Sequence, residues 1–252
     1  MRIRGYADGT PCLARLRTAD PDKAARFYGD LFGWHRDGDV FRLGTAVVAG
    51  LVPEPDPVPA WLTYLATDDL DGLSGRVADA GGAVVYPPAP VGGRGRTALF
   101  RDPVGAEFGA WQRGTCAGAQ IGGEAHTVCW SELVTADEPG ATLFYGKVFG
   151  WSTQPGELAP DREYREWLLH ERVVAGLIPL ARPATAPTVA YWRTTVEVLD
   201  LADTVQRCLD LAGQVALAPL ELLVGRYTRL VDAQGAGFGV IELIPELRGL
   251  PT

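Results

Sequence analysis

Apolar and polar positions along this chain alternate singly in short runs and then switch to helical spacing, and the switch happens twice with nearly the same residues. Cys12, Ala14 and Leu16 alternate with Leu13, Arg15 and Arg17; later, Cys129, Ser131 and Leu133 alternate with Trp130, Glu132 and Val134. A period of two predicts a strand in both places. The first set is small or apolar in both copies and should face a packed helix; the second differs between copies and should face something else. A helix follows each strand. Asp20 stands as N-cap before Pro21, with Asp137 in the copy, and Ala24, Phe27, Tyr28 and Leu31 recur at helical spacing. Gly33 and Gly150 mark the helix ends, and Trp34 and Trp151 restart the chain.

Residues 12–34 and 129–151 match without a gap at a constant offset of 117, with twelve identities in 23 positions. That is a duplication, and its domain-sized period predicts one module copied and fused. The remaining pattern supports this. VFRLG, TAVVAGLV and AWLTYLAT read as strands, with EYREWLL, RVVAGLIPL and VAYWRTTV as counterparts. A second helix runs from Leu70 to Ala80 and closes on Gly81-Gly82; its copy lies in DLADTVQRCLDLAGQ. RTALFRD and AEFGAWQ, matched by RYTRLVD and FGVIELI, form hairpins through turns at Asp102–Gly105 and Asp232–Gly235. The expected class is α+β, with modules at 8–113 and 126–246 and a Gly/Ala-rich linker at 114–125. Pro53–Pro59 reads as a loop, and Gly92–Gly95 as a connector or a lid.

Composition narrows the function. Hydrophobic content of 47% and charged content of 21% are ordinary for a globular chain, and a net charge of −8 disfavours a nucleic-acid partner. No run of 18 apolar residues predicts a membrane span, and the opening MRIRGYADGTPC lacks the apolar stretch of a secretory signal. Cys12, Cys116, Cys129 and Cys208 form no CxxC pair and read as small buried hydrophobes in a reducing, cytoplasmic setting. The chain should be a monomer or homodimer.

The opening strand with TADPDKAARFYGDLFGW and its copy TADEPGATLFYGKVFGW, together with RDPVGAEFGAW and VDAQGAGFGVIEL, resembles the vicinal oxygen chelate superfamily. That group includes glyoxalase I, bleomycin- and fosfomycin-resistance proteins and extradiol dioxygenases. More narrowly, the chain is similar to tandem-module actinobacterial glyoxalase-like proteins. The resemblance implies paired βαβββ units curling a mixed sheet around a pocket. It also implies a divalent metal held by His or Gln early in the first strand, His on a middle strand and Glu on the last. Those positions fall on Leu13, Leu62 and Gly109 in the first half and on Trp130, Tyr191 and Gly239 in the second. None supplies the family's ligand, and His35, His126 and His170 lie apart, so no metal and no other cofactor is expected.

Strand parity turns Leu13, Arg15, Leu62, Tyr64, Glu107 and Trp111 toward one pocket and Trp130, Glu132, Tyr191, Arg193 and Ile241 toward the other. Gly109, Gly237 and Gly239 leave space between them. Apolar and aromatic walls with a few polar groups suit a small aromatic or polyketide-like ligand. Substrate binding is assigned to Arg15, Leu13, Leu62, Trp111, Trp130, Arg193 and Ile241. Catalysis is assigned to Glu132 as general acid or base and to Tyr64 and Tyr191 as proton donors, with Arg15 or Arg193 stabilising an oxyanion. Arg15 and Glu132 should pair if the first strands meet. Three readings stay open: a metal-independent protein that sequesters such a ligand or transforms it by isomerase, cyclase or lyase chemistry; a metal enzyme with unusual ligands such as His170, Glu171 or Glu107; and a non-catalytic protein whose pockets are plugged by its own side chains.

Overall fold

A computed structural model describes residues 1–156, 163–180 and 190–249. The N-terminal half runs β1 (Pro11–Thr18), α1 (Pro21–Phe32), β2 (His35–Asp37), β3 (Val40–Leu43), β4 (Ala46–Pro53), β5 (Ala60–Ala66), α2 (Leu70–Asp79), β6 (Ala83–Val91), β7 (Gly95–Arg101) and β8 (Glu107–Arg113). The C-terminal half repeats it as β9 (Val128–Thr135), α3 (Glu138–Phe149), β10 (Ser152–Pro155), β11 (Arg165–Leu169), β12 (Arg172–Pro179), β13 (Ala190–Glu197), α4 (Leu201–Asp210), β14 (Gln214–Leu222), β15 (Gly225–Val231) and β16 (Gly237–Leu243). Each half forms one mixed eight-stranded sheet, in the orders β2-β3-β4-β1-β5-β8-β7-β6 and β10-β11-β12-β9-β13-β16-β15-β14.

The helix starts follow the sequence signals. Asp20, Asp69, Asp137 and Asp200 all cap with a side-chain oxygen accepting from the backbone three residues on, and Gly33 and Gly150 close α1 and α3 in the left-handed conformation. Four strands escape the sequence reading: β2, β6, β10 and β14. All are sheet edges. β6 carries Pro87, Pro88 and Pro90, β14 carries Pro219, and both are broken by register shifts against their partners. An edge strand tolerates proline because one side of its ladder is unpaired, so the residue that argues against a strand in sequence is admissible here. Val189, which opens the segment VAYWRTTV, lies outside the described residues.

The two sheets face each other through the sides that carry the helices, and the principal cores are shared. One core joins Ala14, Leu16, Tyr28, Trp34 and Trp61 to Val196, Leu201, Leu230, Phe238 and Val240. The other joins Leu65, Leu73, Phe100 and Phe108 to Leu133, Tyr145, Trp151, Trp167 and Trp192. Thus β1–α1–β2–β3–β4 packs on the second unit of the other half, and the converse holds for β5–α2–β6–β7–β8.

Two matching polar links cross these cores. The Tyr28 hydroxyl donates to Asp232 at 2.9 Å and accepts from Trp61 Nε1 at 2.9 Å. The Tyr145 hydroxyl donates to Asp102 at 3.2 Å and accepts from Trp192 Nε1 at 2.9 Å. The same aspartates shape the β7–β8 and β15–β16 turns, where one oxygen of each takes backbone N–H groups, including those of Ala106 and Ala236. Burial first, and then the adjacent carboxylate, raise both tyrosine pKa values well above the ordinary range, so the phenols stay protonated donors.

Candidate functional site

The faces of the sheets turned away from the helices carry clusters confined to one half each, and the two differ. In the N-terminal half, Leu13, Leu62, Tyr64 and Trp111 are buried in one apolar cluster with Cys12, Leu99 and Cys116. Trp111 Nε1 bonds the Cys116 carbonyl at 2.9 Å, and the Tyr6 hydroxyl bonds that of Ala119 at 2.8 Å, drawing chain segments over the cluster. Arg15 lies over the Tyr64 ring at 5.3 Å and donates to the Leu51 carbonyl at 2.6 Å. Its carboxylate neighbour is Asp39 at 3.7 Å, which also pairs with Arg94. The expected Arg15–Glu132 pair is therefore not formed: the two side chains lie on outward faces of different sheets.

Glu132 pairs instead with Arg193 beside it on β13, through Nε at 2.9 Å and Nη2 at 2.6 Å. Burial works against the charge on Arg193, but the facing carboxylate outweighs it and raises the guanidinium pKa. Arg193 also lies over the Tyr227 ring at 5.5 Å, next to Ile241, and Trp130 Nε1 donates to the Tyr164 hydroxyl at 2.9 Å. Burial, with Glu132 alongside, raises the Tyr164 pKa. This face is polar at its centre and lined at its margins by half-buried Trp130, Leu220, Leu222 and Leu243. Tyr164 and Tyr227 were not anticipated. Extending strand parity to β15 would have found Tyr227; Tyr164 stands one residue before β11, in the segment EYREWLL, which reads as a strand in the sequence without being assigned a face.

Register settles which positions correspond. Trp61 and Trp192 make the same bond to the repeated tyrosine, so Leu62 matches Arg193, and Tyr191 matches Ala60 rather than Leu62. The adjacent three-strand rows are Leu13–Tyr64–Gly109 and Trp130–Thr195–Gly239. A side chain at Gly109 would run into the Tyr64 ring, and one at Gly239 would come within 2.6 Å of Thr195 Oγ1. Neither row offers the imidazole and carboxylate donors of a divalent-metal site, and among the described residues no three His, Cys, Asp or Glu side chains gather. A divalent ion does not fit these residues.

A cavity lies between the halves. It is a cleft of about 460 Å³ where the starts of β5 and β13 meet the β7–β8 and β15–β16 turns. Leu62, Glu107, Tyr191 and Arg193 line it, joined by Arg17, Arg229, Trp61 and Trp192. Glu107 accepts from Arg17 and from Arg101, each at 2.6 Å; burial alone would raise its pKa, but the two guanidiniums lower it. Glu132 reaches this cleft only through Arg193.

Comparison with known proteins fits this architecture. Residues 12–109 match the model of the glyoxalase/bleomycin resistance protein/dioxygenase superfamily. The chain is 33% identical to a putative glyoxylase, CFP32, of Mycobacterium tuberculosis (strain CDC 1551 / Oshkosh), over 96% of this chain and 97% of that one. It belongs to this superfamily. It is also 34% identical to the anthracycline biosynthesis protein DauV of Streptomyces sp. (strain C5), over 94% of both chains. Among solved structures, the Mn(II)-bound glyoxalase from Novosphingobium aromaticivorans superposes with a TM-score of 0.60 at 18% identity, over 95% of this chain and 85% of that one, a likeness of fold. The superfamily assignment and the two-module mixed-sheet fold agree with the sequence reading. No described helix is long and apolar enough to cross a membrane.

Proposed function

We propose that the cleft between the halves takes a planar aromatic, polyketide-like molecule and does so without a divalent metal. The observation that carries this reading is the cleft itself: Trp61, Trp192, Leu62 and Tyr191 supply apolar and aromatic walls, and Arg193, held by Glu132, supplies a fixed cation. The size is right for a small molecule, whose sites run from about 300 to 1,000 Å³. The similarity to a protein of anthracycline biosynthesis supports a polycyclic aromatic ligand. Tyr191 and Arg193 can donate to a carbonyl oxygen of the bound molecule, the polarisation that isomerase, cyclase or lyase chemistry requires. Glu132 serves as the positioning residue for Arg193, since both bonds from that guanidinium go to its Oε2. The plugged-pocket reading applies to the N-terminal outward face, where Leu13, Tyr64 and Trp111 occupy the space.

The test is a titration of chelator-treated protein with neutral and anionic tricyclic probes, read by quenching of Trp61 and Trp192. Binding should survive chelation, and Tyr191→Ala should weaken it about tenfold, the equivalent of 1.4 kcal/mol. If no probe binds, or binding appears only after Mn(II) or Fe(II) is restored, the reading is wrong.

A further inference from the structure

Several equivalent positions of the two halves line the cleft, but they do not carry the same charge. Phe108 and Phe238 are equivalent core positions, so Glu107 of β8 corresponds to Gly237 of β16, and both line the cleft. In the N-terminal half the Glu107 carboxylate satisfies Arg17 and Arg101. In the C-terminal half the corresponding residue has no side chain. There Arg229, half-buried on β15 opposite Gly239, lines the same cleft and forms no ion pair among the described residues. A Cβ placed on Gly237 would find its nearest neighbour, the Leu230 carbonyl, at 3.9 Å, so space lies above it.

We propose that the molecule bound in the cleft is an aromatic carboxylate, seated over Gly237 with Arg229 as its counter-ion. This rests on the reading of the cleft as an aromatic-ligand site and adds the ligand's charge. The ring system lies against the tryptophan and Tyr191 walls, and the carboxylate takes in this half the role that Glu107 plays in the other. A half-buried guanidinium is desolvated enough to reward an anionic partner while remaining open to it, and its planar fork matches a carboxylate.

The experiment compares anthraquinone-2-carboxylate with neutral 2-(hydroxymethyl)anthraquinone on the full chain, by tryptophan quenching. The carboxylate should bind at least about tenfold more tightly at low salt, as a charge-assisted bond allows, and the advantage should shrink as salt screens it. Arg229→Gln should abolish the advantage, bringing the two probes to similar affinities. Gly237→Glu, which brings an internal carboxylate to Arg229, should weaken the carboxylate probe selectively, with melting temperature confirming the fold. Equal affinities for the two probes in the unaltered protein, or an advantage that survives Arg229→Gln, overturns the proposal while leaving the aromatic cleft standing. If neither probe binds, the cleft reading falls and this inference with it.

Discussion

Removing one oxygen from Tyr28 should test how strongly the two halves are interlocked. The Tyr28→Phe side chain keeps the ring in its core, where it packs against Phe27, Trp34, Trp61 and Phe238. What is lost is the donor to Asp232 and the acceptor for Trp61 Nε1. A hydrogen bond to a charged group contributes about 1.5–3 kcal/mol, and an orphaned buried N–H costs about 1–3 kcal/mol more. The expected loss is therefore about 2.5–6 kcal/mol, or about 5–24 °C in melting temperature for a chain of this size. Tyr145→Phe should cost less, because its bond to Asp102 is longer, at 3.2 Å against 2.9 Å. Urea unfolding followed by tryptophan fluorescence measures both, since Trp61 and Trp192 sit at the broken bonds. The transition should remain single with an unchanged slope, because each shared core draws on both halves. A loss below about 1 kcal/mol, or a biphasic curve in which one half survives, would refute the interlock.

Two glycines on the outward faces should respond differently to alanine. Gly109→Ala drives a methyl into the Tyr64 ring and should destabilise by about 1–3 kcal/mol, whereas Gly237→Ala meets only open space and should stay within about 0.5 kcal/mol of the parent; similar melting temperatures for the two would contradict the packing described. Glu197 carries a buried oxygen with no hydrogen-bond partner among the described residues, and burial raises its pKa against the opposing pull of Arg248. The native state then holds its proton to higher pH than the unfolded chain does. Stability from this group should be full below its ordinary value of 4.5 and fall as pH climbs through the raised native value. Glu197→Gln should flatten that slope and raise the melting temperature at neutral pH; an unchanged stability profile between pH 4 and 7 counts against the assignment.

What could be read from the chain, and what could not, follows from where each interaction gets its specificity. Strand alternation, Asp caps and Gly stops are local, so the duplicated units and their helices were legible from spacing alone. The partner of a helix face is not local: the periodicity of Ala24, Phe27, Tyr28 and Leu31 requires an apolar neighbour but does not name the other half's Phe238 and Leu230 as that neighbour. The edge strands β6 and β14 were hidden because their prolines obey a rule about ladder position that only topology reveals. The site shows a similar division. Residues identical in both copies, Tyr28 and Tyr145, Trp34 and Trp151, Asp102 and Asp232, hold the shared cores. The polar residues placed around the cleft and its supporting face are those in which the copies diverge: Leu62 against Arg193, Arg15 against Glu132, Glu107 against Gly237. A pseudo-twofold interface built from like residues is indifferent to which half a ligand faces. Each divergence breaks that degeneracy. On its side of the cleft Glu107 pairs with both Arg17 and Arg101, while the corresponding Gly237 brings no carboxylate to Arg229. The two walls of the cleft are therefore chemically distinct, and the lining guanidinium with no ion pair among the described residues, Arg229, lies in the C-terminal half.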